Sequence, residues 1–225
     1  MSMENAKKAA AFKALEFLEK KMILGLGSGT TAAFFIDALI AKKNELDCVV
    51  VSSSKESEKK ALSGGLQVKK LEEVSHVDIT VDGADEIDTQ KRMIKGGGGA
   101  HVREKILAAS SQEMIVIIDE TKWVENLGKT KLPVEVLFFG HLQTKKKIEE
   151  KNLQGSFRKQ QDGSLFVTDN GNVIYDITFA SPIHNPEEIH TLLKNIPGVV
   201  DTGFFFSLAG RVITGYENGE VKVST

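Results

Sequence analysis

At residues 22–27 a short apolar run, MILGLG, breaks on glycine and passes through a short glycine-rich turn into TTAAFFIDALIAKK, whose apolar residues recur at helical spacing. A strand that turns straight into a helix is half of a crossover unit, and the next strand of such a unit lies parallel to the first. The pattern then repeats. CVVVSSS reads as a second strand, residues 55–62 as a helix, LQVKKL as a weaker third strand and HVDITVDG as a fourth. HVREKILAAS reads as a helix, and MIVIID, ending at Asp119, as a fifth strand. An amphipathic helix over 6–20, carrying Ala9, Phe12, Leu15 and Phe17, precedes the series. Strands alternating with helices predict an α/β fold with a Rossmann-like, mainly parallel, doubly wound sheet.

After Gly128 the pattern changes. LPVEVLFF reads as a strand and residues 141–151 as a basic helix. LFVTDNGNVIYDITF reads as a hairpin turning at Asn170-Gly171. NPEEIHTLLKNIPG opens with an Asn cap and a first-turn proline and stops at Pro-Gly, and VVDTGFFF closes the series. The order strand, helix, strand, strand, helix, strand is that of a ferredoxin-like α+β unit. The division expected is therefore an α/β catalytic domain of residues 1–128 and 201–225, with a smaller domain inserted at 129–200. The tail, RVITGYENGEVKV, reads as a further strand pair returning to the first domain.

Composition narrows the function. In 225 residues, 29 Lys and Arg stand against 31 Asp and Glu, a formal charge of -2 that gives no support to a nucleic-acid or membrane-surface partner. No apolar run is long enough to span a bilayer, and the N-terminal segment lacks the continuous apolar core of a signal peptide. Cys48 is the single cysteine and forms no internal disulfide. These features predict a soluble cytoplasmic protein.

Three loops carry residues suited to chemistry, and in an open parallel sheet ligands sit at the carboxyl ends of the strands. GLGSGTT places Gly27 and Gly29 before a helix N-terminus, with Ser28, Thr30 and Thr31 as hydroxyl donors, which suits a phosphate. It is not a Walker loop, because no Gly-Lys-Ser/Thr follows, and Thr30 occupies the third glycine position of a dinucleotide fingerprint. A capped tight turn is the alternative reading. VDITVDGADEID sets four carboxylates within seven residues, which leaves a solvated turn, a Mg²⁺ site and an acid/base pair open. KGGGGAHVREK places four glycines between a strand and a helix. A flexible linker is one reading of that run, and backbone approaching a ligand closely is the other. Lys122 follows the fifth strand and reads as a surface lysine or as a contributor to the same edge. The five histidines show no metal-ligand spacing.

Taken together, GLGSGTT, DGADEID, KGGGGAHVREK and the inserted α+β segment resemble ribose-5-phosphate isomerases of the A type. The likeness extends to SSS after the second strand, LPVEV, VTDNGNVI and IPGVV. The resemblance implies a cofactor-free, metal-free cytoplasmic enzyme, a homodimer or homotetramer. Such an enzyme interconverts ribose 5-phosphate and ribulose 5-phosphate in the non-oxidative pentose phosphate pathway. Position by position it implies Glu104 as the base, Lys95 as a catalytic lysine, and Asp82 and Asp85 as a catalytic aspartate pair. Substrate contacts fall on Ser28, Gly29, Thr30 and Thr31, on Asp82, Gly83, Ala84 and Asp85, on Lys95, Gly96, Gly97 and Gly98, and on Lys122. Glu86 and Asp88 are left without a function and are expected to face solvent. Gly99 stands where the family commonly has alanine, a departure expected to be harmless in an open loop, and Thr121 stands where a serine is common. The competing classes are a sugar-phosphate sensor that has lost its catalytic groups, a nucleotide-dependent oxidoreductase and a metal-dependent sugar-phosphate enzyme.

Overall fold

Apolar runs form strands buried on both faces, and such runs make the centre of the larger sheet. The computed structural model describes residues 3–225. Compactness divides the chain into two units, the first made of residues 1–84, 103–122 and 207–225 and the second of 85–102 and 123–206.

The first unit holds strands β1 (Ile23–Leu26), β2 (Val49–Ser52), β3 (Gln67–Val68), β4 (Val77–Asp82), β7 (Ser111–Asp119), β13 (Ala209–Gly215) and β14 (Val221–Ser224). They form one seven-stranded sheet in the order β14-β13-β7-β4-β1-β2-β3. Every pairing is parallel except β13 with β14, so the tail does supply a strand pair and joins the larger sheet. Helices α1 (Met3–Ala14), α2 (Gly29–Ala41), α3 (Lys43–Leu46) and α4 (Lys55–Ser63) belong to this unit. Its core joins Leu24 and Leu26 of β1, Phe35, Ile36 and Leu39 of α2, Ile115 and Ile117 of β7 and Ile213 of β13. Each fully buried side chain of this size contributes about 1.5–3 kcal/mol. The expected first helix ends early: α1 stops at Ala14 and passes into a 3₁₀ turn at Leu15–Phe17. Ala6, Ala10, Ala11 and Ala14 are fully buried, and a Cβ on Gly215 of β13 would lie 1.9 Å from the Ala6 carbonyl. Small residues therefore let helix and strand approach closely.

The second unit holds β8 (Leu132–Val136), α6 (His141–Glu149), β9 (Gly155–Phe157), β10 (Val173–Ile177), α7 (Pro186–Lys194) and β11 (Val199–Thr202). Its four-stranded antiparallel sheet runs β11-β8-β10-β9, the ferredoxin-like order. The turn expected at Asn170-Gly171 forms, with Gly171 at φ 80 and Thr168 N–H on the Asn172 carbonyl. Its flanks differ from the expected hairpin. Only an isolated bridge joins Val167 to Val173, and β10 pairs instead with β8 and β9. A second small sheet comprises β5 (Glu86–Ile87), β6 (Met93–Ile94) and β12 (Phe204–Phe205), in the order β12-β6-β5. Phe204 and Phe205 are core residues, whereas Phe138 and Phe139 are exposed. Helix α5 (His101–Ala109) carries the chain from the second unit back into the first. No helix among the described residues is long and apolar enough to cross a membrane.

Glu86 and Asp88 do not face solvent; each is 1% exposed. Glu86 accepts from the N–H groups of Gly128 (2.8 Å) and Thr130. Asp88 accepts from the N–H groups of Gln90 and Arg92 and from Arg92 Nε at 2.6 Å, which closes the turn between β5 and β6. Burying a carboxylate is costly unless it is paired or hydrogen-bonded, and both are. The carboxylates absorb backbone donors, a use that charge spacing does not reveal.

Candidate active site

In the first unit, β1 ends on a bend that glycine alone permits. A Cβ on Gly25 would lie 1.9 Å from Thr80 Oγ1, and one on Gly27 would lie 2.0 Å from Asp82 Oδ1. Gly27 N–H donates to the Val81 carbonyl at 2.9 Å, so the bend is stitched to β4 just before Asp82. Asp82 is 1% exposed. Its Oδ1 accepts from Ser28 N–H at 3.1 Å and from Gly83 N–H at 2.7 Å.

Ser28 occupies the N-cap position of α2, yet its side chain makes no cap. The hydroxyl instead donates to Glu104 Oε1 at 2.5 Å. The first-turn N–H groups of α2 thus have no serine cap, and with the partial positive charge of the helix end they suit an anion. Gly29 and Thr30 are exposed, and Ser28 and Thr31 are half-buried. Lys7 Nζ, from α1, lies 3.3 Å from Thr30 Oγ1 and brings a cation to this end of the helix, a placement nothing in the sequence signals.

Glu104 is 3% exposed and lies in the first turn of α5. One hydrogen-bonded chain therefore joins three sequence-expected residues: Ser28, Asp82 and Glu104. Gly83 and Ala84 continue from Asp82 to the end of the unit's first segment. Lys122 ends a 3₁₀ turn after β7, at Glu120–Lys122. That turn is shaped by Asp119, whose Oδ1 accepts from both Thr121 N–H and Thr121 Oγ1, so the threonine hydroxyl makes a local contact that a serine could also make.

In the second unit the glycine run is a defined turn and not a linker. Gly99 N–H donates to the Gly96 carbonyl at 2.9 Å. Gly96 and Gly99 have φ of 106 and 85, values that favour glycine. Position 99 is not open: a Cβ there would lie 2.5 Å from the Phe166 ring and 3.2 Å from Ile174. Asp85 Oδ2 accepts from Gly97 N–H at 2.8 Å, and Asp85 N–H donates to the Ile94 carbonyl at 2.9 Å. Lys95 is 3% exposed; its N–H donates to the Gly203 carbonyl, and its ammonium lies 5.4 Å from the centre of the Phe205 ring. Gly97 and Gly98 are exposed. Of the sequence-expected residues, Asp85, Lys95, Gly96, Gly97 and Gly98 thus lie in this unit, and the remainder lie in the first.

Two residues of this loop's surroundings carry no sequence signal. His101 is fully buried beside Gly96, where a Cβ would lie 2.8 Å from its Nδ1. Arg158, more than fifty positions downstream, donates to the carbonyls of Gly96 and Gly97. Among the described residues no group of three or more His, Cys, Asp or Glu is arranged to hold a metal ion.

Residues 49–219 match the family model described as ribose 5-phosphate isomerase A (phosphoriboisomerase A). A ribose-5-phosphate isomerase A from Protochlamydia amoebophila is 49% identical over 219 residues, covering 97% of this chain and 94% of the relative. A solved D-ribose-5-phosphate isomerase in complex with phospho-erythronic acid superposes with a TM-score of 0.94 at 36% identity, covering 100% of this chain and 99% of that one. Ribose 5-phosphate isomerase from Plasmodium falciparum superposes with a TM-score of 0.94 at 36% identity, covering 99% of both chains.

Proposed function

The chain belongs to the ribose 5-phosphate isomerase A family, and from that premise we propose that it interconverts ribose 5-phosphate and ribulose 5-phosphate with Glu104 as the general base. The observation that carries the residue assignment is the 2.5 Å hydrogen bond from Ser28 to Glu104, which ties the anion-binding helix end to a buried carboxylate. In the non-oxidative branch of the pentose phosphate pathway this reaction converts an aldose to a ketose with no net redox change.

The aldose is mostly a closed furanose. Opening it requires a proton to leave the anomeric hydroxyl and one to reach the ring oxygen. Asp82 takes the anomeric proton and then delivers it to the ring oxygen, and Asp85 orients the sugar hydroxyls. Glu104 then removes the proton from C2, leaving an enediolate, and returns it to C1. The developing oxyanion draws on the Lys95 ammonium and on the glycine-turn N–H groups not already held by Asp85 Oδ2 and the Gly96 carbonyl, interactions stronger in the transition state than in the ground state. The phosphate is held by Ser28, Gly29, Thr30 and Thr31 with Lys122, so binding energy remote from C1 and C2 orients the reacting end. Gly83 and Ala84 supply backbone alongside the aspartates. No cofactor and no metal is required by this scheme.

In chain order we treat residues 129–200 as an insertion into a catalytic domain of 1–128 and 201–225. We assign the protein to the cytoplasm, consistent with the single, unpaired Cys48; a fluorescent fusion found elsewhere would contradict this. We assign it a homodimeric or homotetrameric state, supported by the exposed apolar run of Leu137, Phe138 and Phe139 with Leu142; a monomeric mass by light scattering would contradict it.

The test of the chemistry is conversion of ribose 5-phosphate in deuterium oxide with chelator present. Ribulose 5-phosphate carrying deuterium at C1 is the expected product, because the proton held by the base exchanges with solvent. Quantitative transfer of the substrate hydrogen at a rate insensitive to Glu104→Gln would overturn the enediolate scheme.

A further inference from the structure

The carbonyls of the glycine turn converge on one guanidinium. Arg158 Nη1 donates to Gly96 O at 3.0 Å and to Gly97 O at 2.9 Å. The remaining edge of the fork is bidentate on Asp176, with Nε on Oδ2 at 2.9 Å and Nη2 on Oδ1 at 2.6 Å. Arg158 and Asp176 side chains are only 17% and 9% exposed, and the guanidinium lies 5.7 Å from the centre of the Phe166 ring. The backbone carrying Arg158 is fixed too: its N–H donates to Ile174 O at 2.8 Å and its carbonyl accepts from Phe166 N–H at 2.9 Å. Phe166 is the same ring against which Gly99 packs.

We infer that Arg158 is a positioning residue for catalysis: it sets the orientation of the glycine-turn peptides, and with them of the Gly98 N–H that faces the substrate oxyanion. The inference rests on the reading of Gly96, Gly97 and Gly98 as substrate-binding backbone. In a trans peptide the C=O and N–H point in opposite directions, and no peptide bond among the described residues is cis. Holding Gly97 O against Arg158 therefore turns the Gly98 N–H away from the guanidinium. Holding Gly96 O does the same for the Gly97 N–H, which meets Asp85 Oδ2 at 2.8 Å. Asp85 and Arg158 thus grip one peptide from its two ends. Glycine lacks the Cβ that restricts other residues, so without this grip the turn samples other peptide orientations. A donor that is not preorganised loses most of its value in stabilising a transition state.

Arg158→Lys tests this without leaving Asp176 unpaired. A lysine keeps the charge beside Asp176 but has no planar fork to reach two carbonyls and a carboxylate together. The expected result is a fall in kcat of about tenfold or more with KM changed less than about threefold. Amide hydrogen exchange in the segment 96–99 rises, while exchange in β8 and β10 and the thermal midpoint stay close to wild type. In Arg158→Ala, added guanidinium restores part of kcat and ammonium does not. Unchanged exchange in the glycine turn of a folded Arg158→Lys protein would overturn the clamp itself. Faster exchange with unaltered kcat and KM would instead remove the glycine turn from the catalytic machinery, and the inference with it.

Discussion

Ser28 Oγ and Glu104 Oε1 lie 2.5 Å apart although 76 positions separate them in the chain. The serine is the N-cap of α2, and its hydroxyl serves the carboxylate on α5 in place of the helix it caps. A hydrogen bond to a charged group is worth about 1.5–3 kcal/mol. Ser28→Ala should therefore lower kcat by about ten- to a hundredfold, read by steady-state kinetics on ribose 5-phosphate. A wild-type kcat would show that this contact has no part in placing the base.

Gly27→Ala tests the bend beneath that contact. The added Cβ would lie 2.0 Å from Asp82 Oδ1 and 2.1 Å from Asp82 Cγ, so either the strand end or the aspartate moves. Overpacking of this kind costs about 1–3 kcal/mol, and the displaced group is one assigned to catalysis. The urea midpoint and kcat should fall together. Retention of both would mean that the bend relaxes without disturbing Asp82.

Glu135 has no exposed surface and accepts from Thr168 Oγ1 (3.1 Å), Asn170 Nδ2 (3.0 Å) and Asn172 Nδ2 (2.8 Å). The turn around Asn170-Gly171 is thereby pinned to β8. Glu135→Ala strands buried donors and should cost on the order of 3 kcal/mol in urea unfolding, whereas Glu135→Gln keeps an acceptor oxygen and should cost under about 1 kcal/mol. Equal losses in the two variants would remove the carboxylate from this role.

Tyr175 is fully buried in the second unit, and its hydroxyl donates to Glu149 Oε1 at 3.0 Å. Burial first, and then that hydrogen bond and the charge of Glu149, push its hydroxyl up to about 12. The unfolded chain loses this proton near 10, so between about 10 and 12 the folded state binds more protons than the unfolded state. Stability from this group is present below 10 and declines as pH rises through that window. Absorbance titration at alkaline pH should show a tyrosinate appearing late, and Tyr175→Phe should flatten the alkaline loss of stability. A residue titrating near 10 with no unfolding would contradict this environment.

The parallel sheet was legible because its strands are apolar on both faces and are separated by helical spacing, as at Ile23–Leu26 followed by Gly29–Ala41. The ferredoxin-like order was legible from turn chemistry, with Asn185 and Pro186 opening α7. The two-residue strands Glu86–Ile87 and Met93–Ile94 were not, since no periodicity exists over two residues. Asp88 is buried because it takes the N–H groups of the turn that joins them, and Glu86 because it takes those of Gly128 and Thr130. At the candidate site, the motifs supply Ser28, Asp82 and Glu104, which share one hydrogen-bonded chain, whereas no motif points to Arg158. Its action depends on carbonyls more than fifty positions away, and a lone arginine between two short strands has no distinguishing pattern.

The chemistry depends on Glu104, and turnover of Glu104→Gln, measured beside its affinity for ribose 5-phosphate, tests that dependence. Glutamine keeps an oxygen for the Ser28 hydroxyl but takes up no proton from C2. Turnover should fall by at least about 10²-fold while binding of the sugar phosphate, measured calorimetrically, stays within a few-fold of wild type. Wild-type turnover in that variant would contradict the assignment of the base and the mechanism built on it.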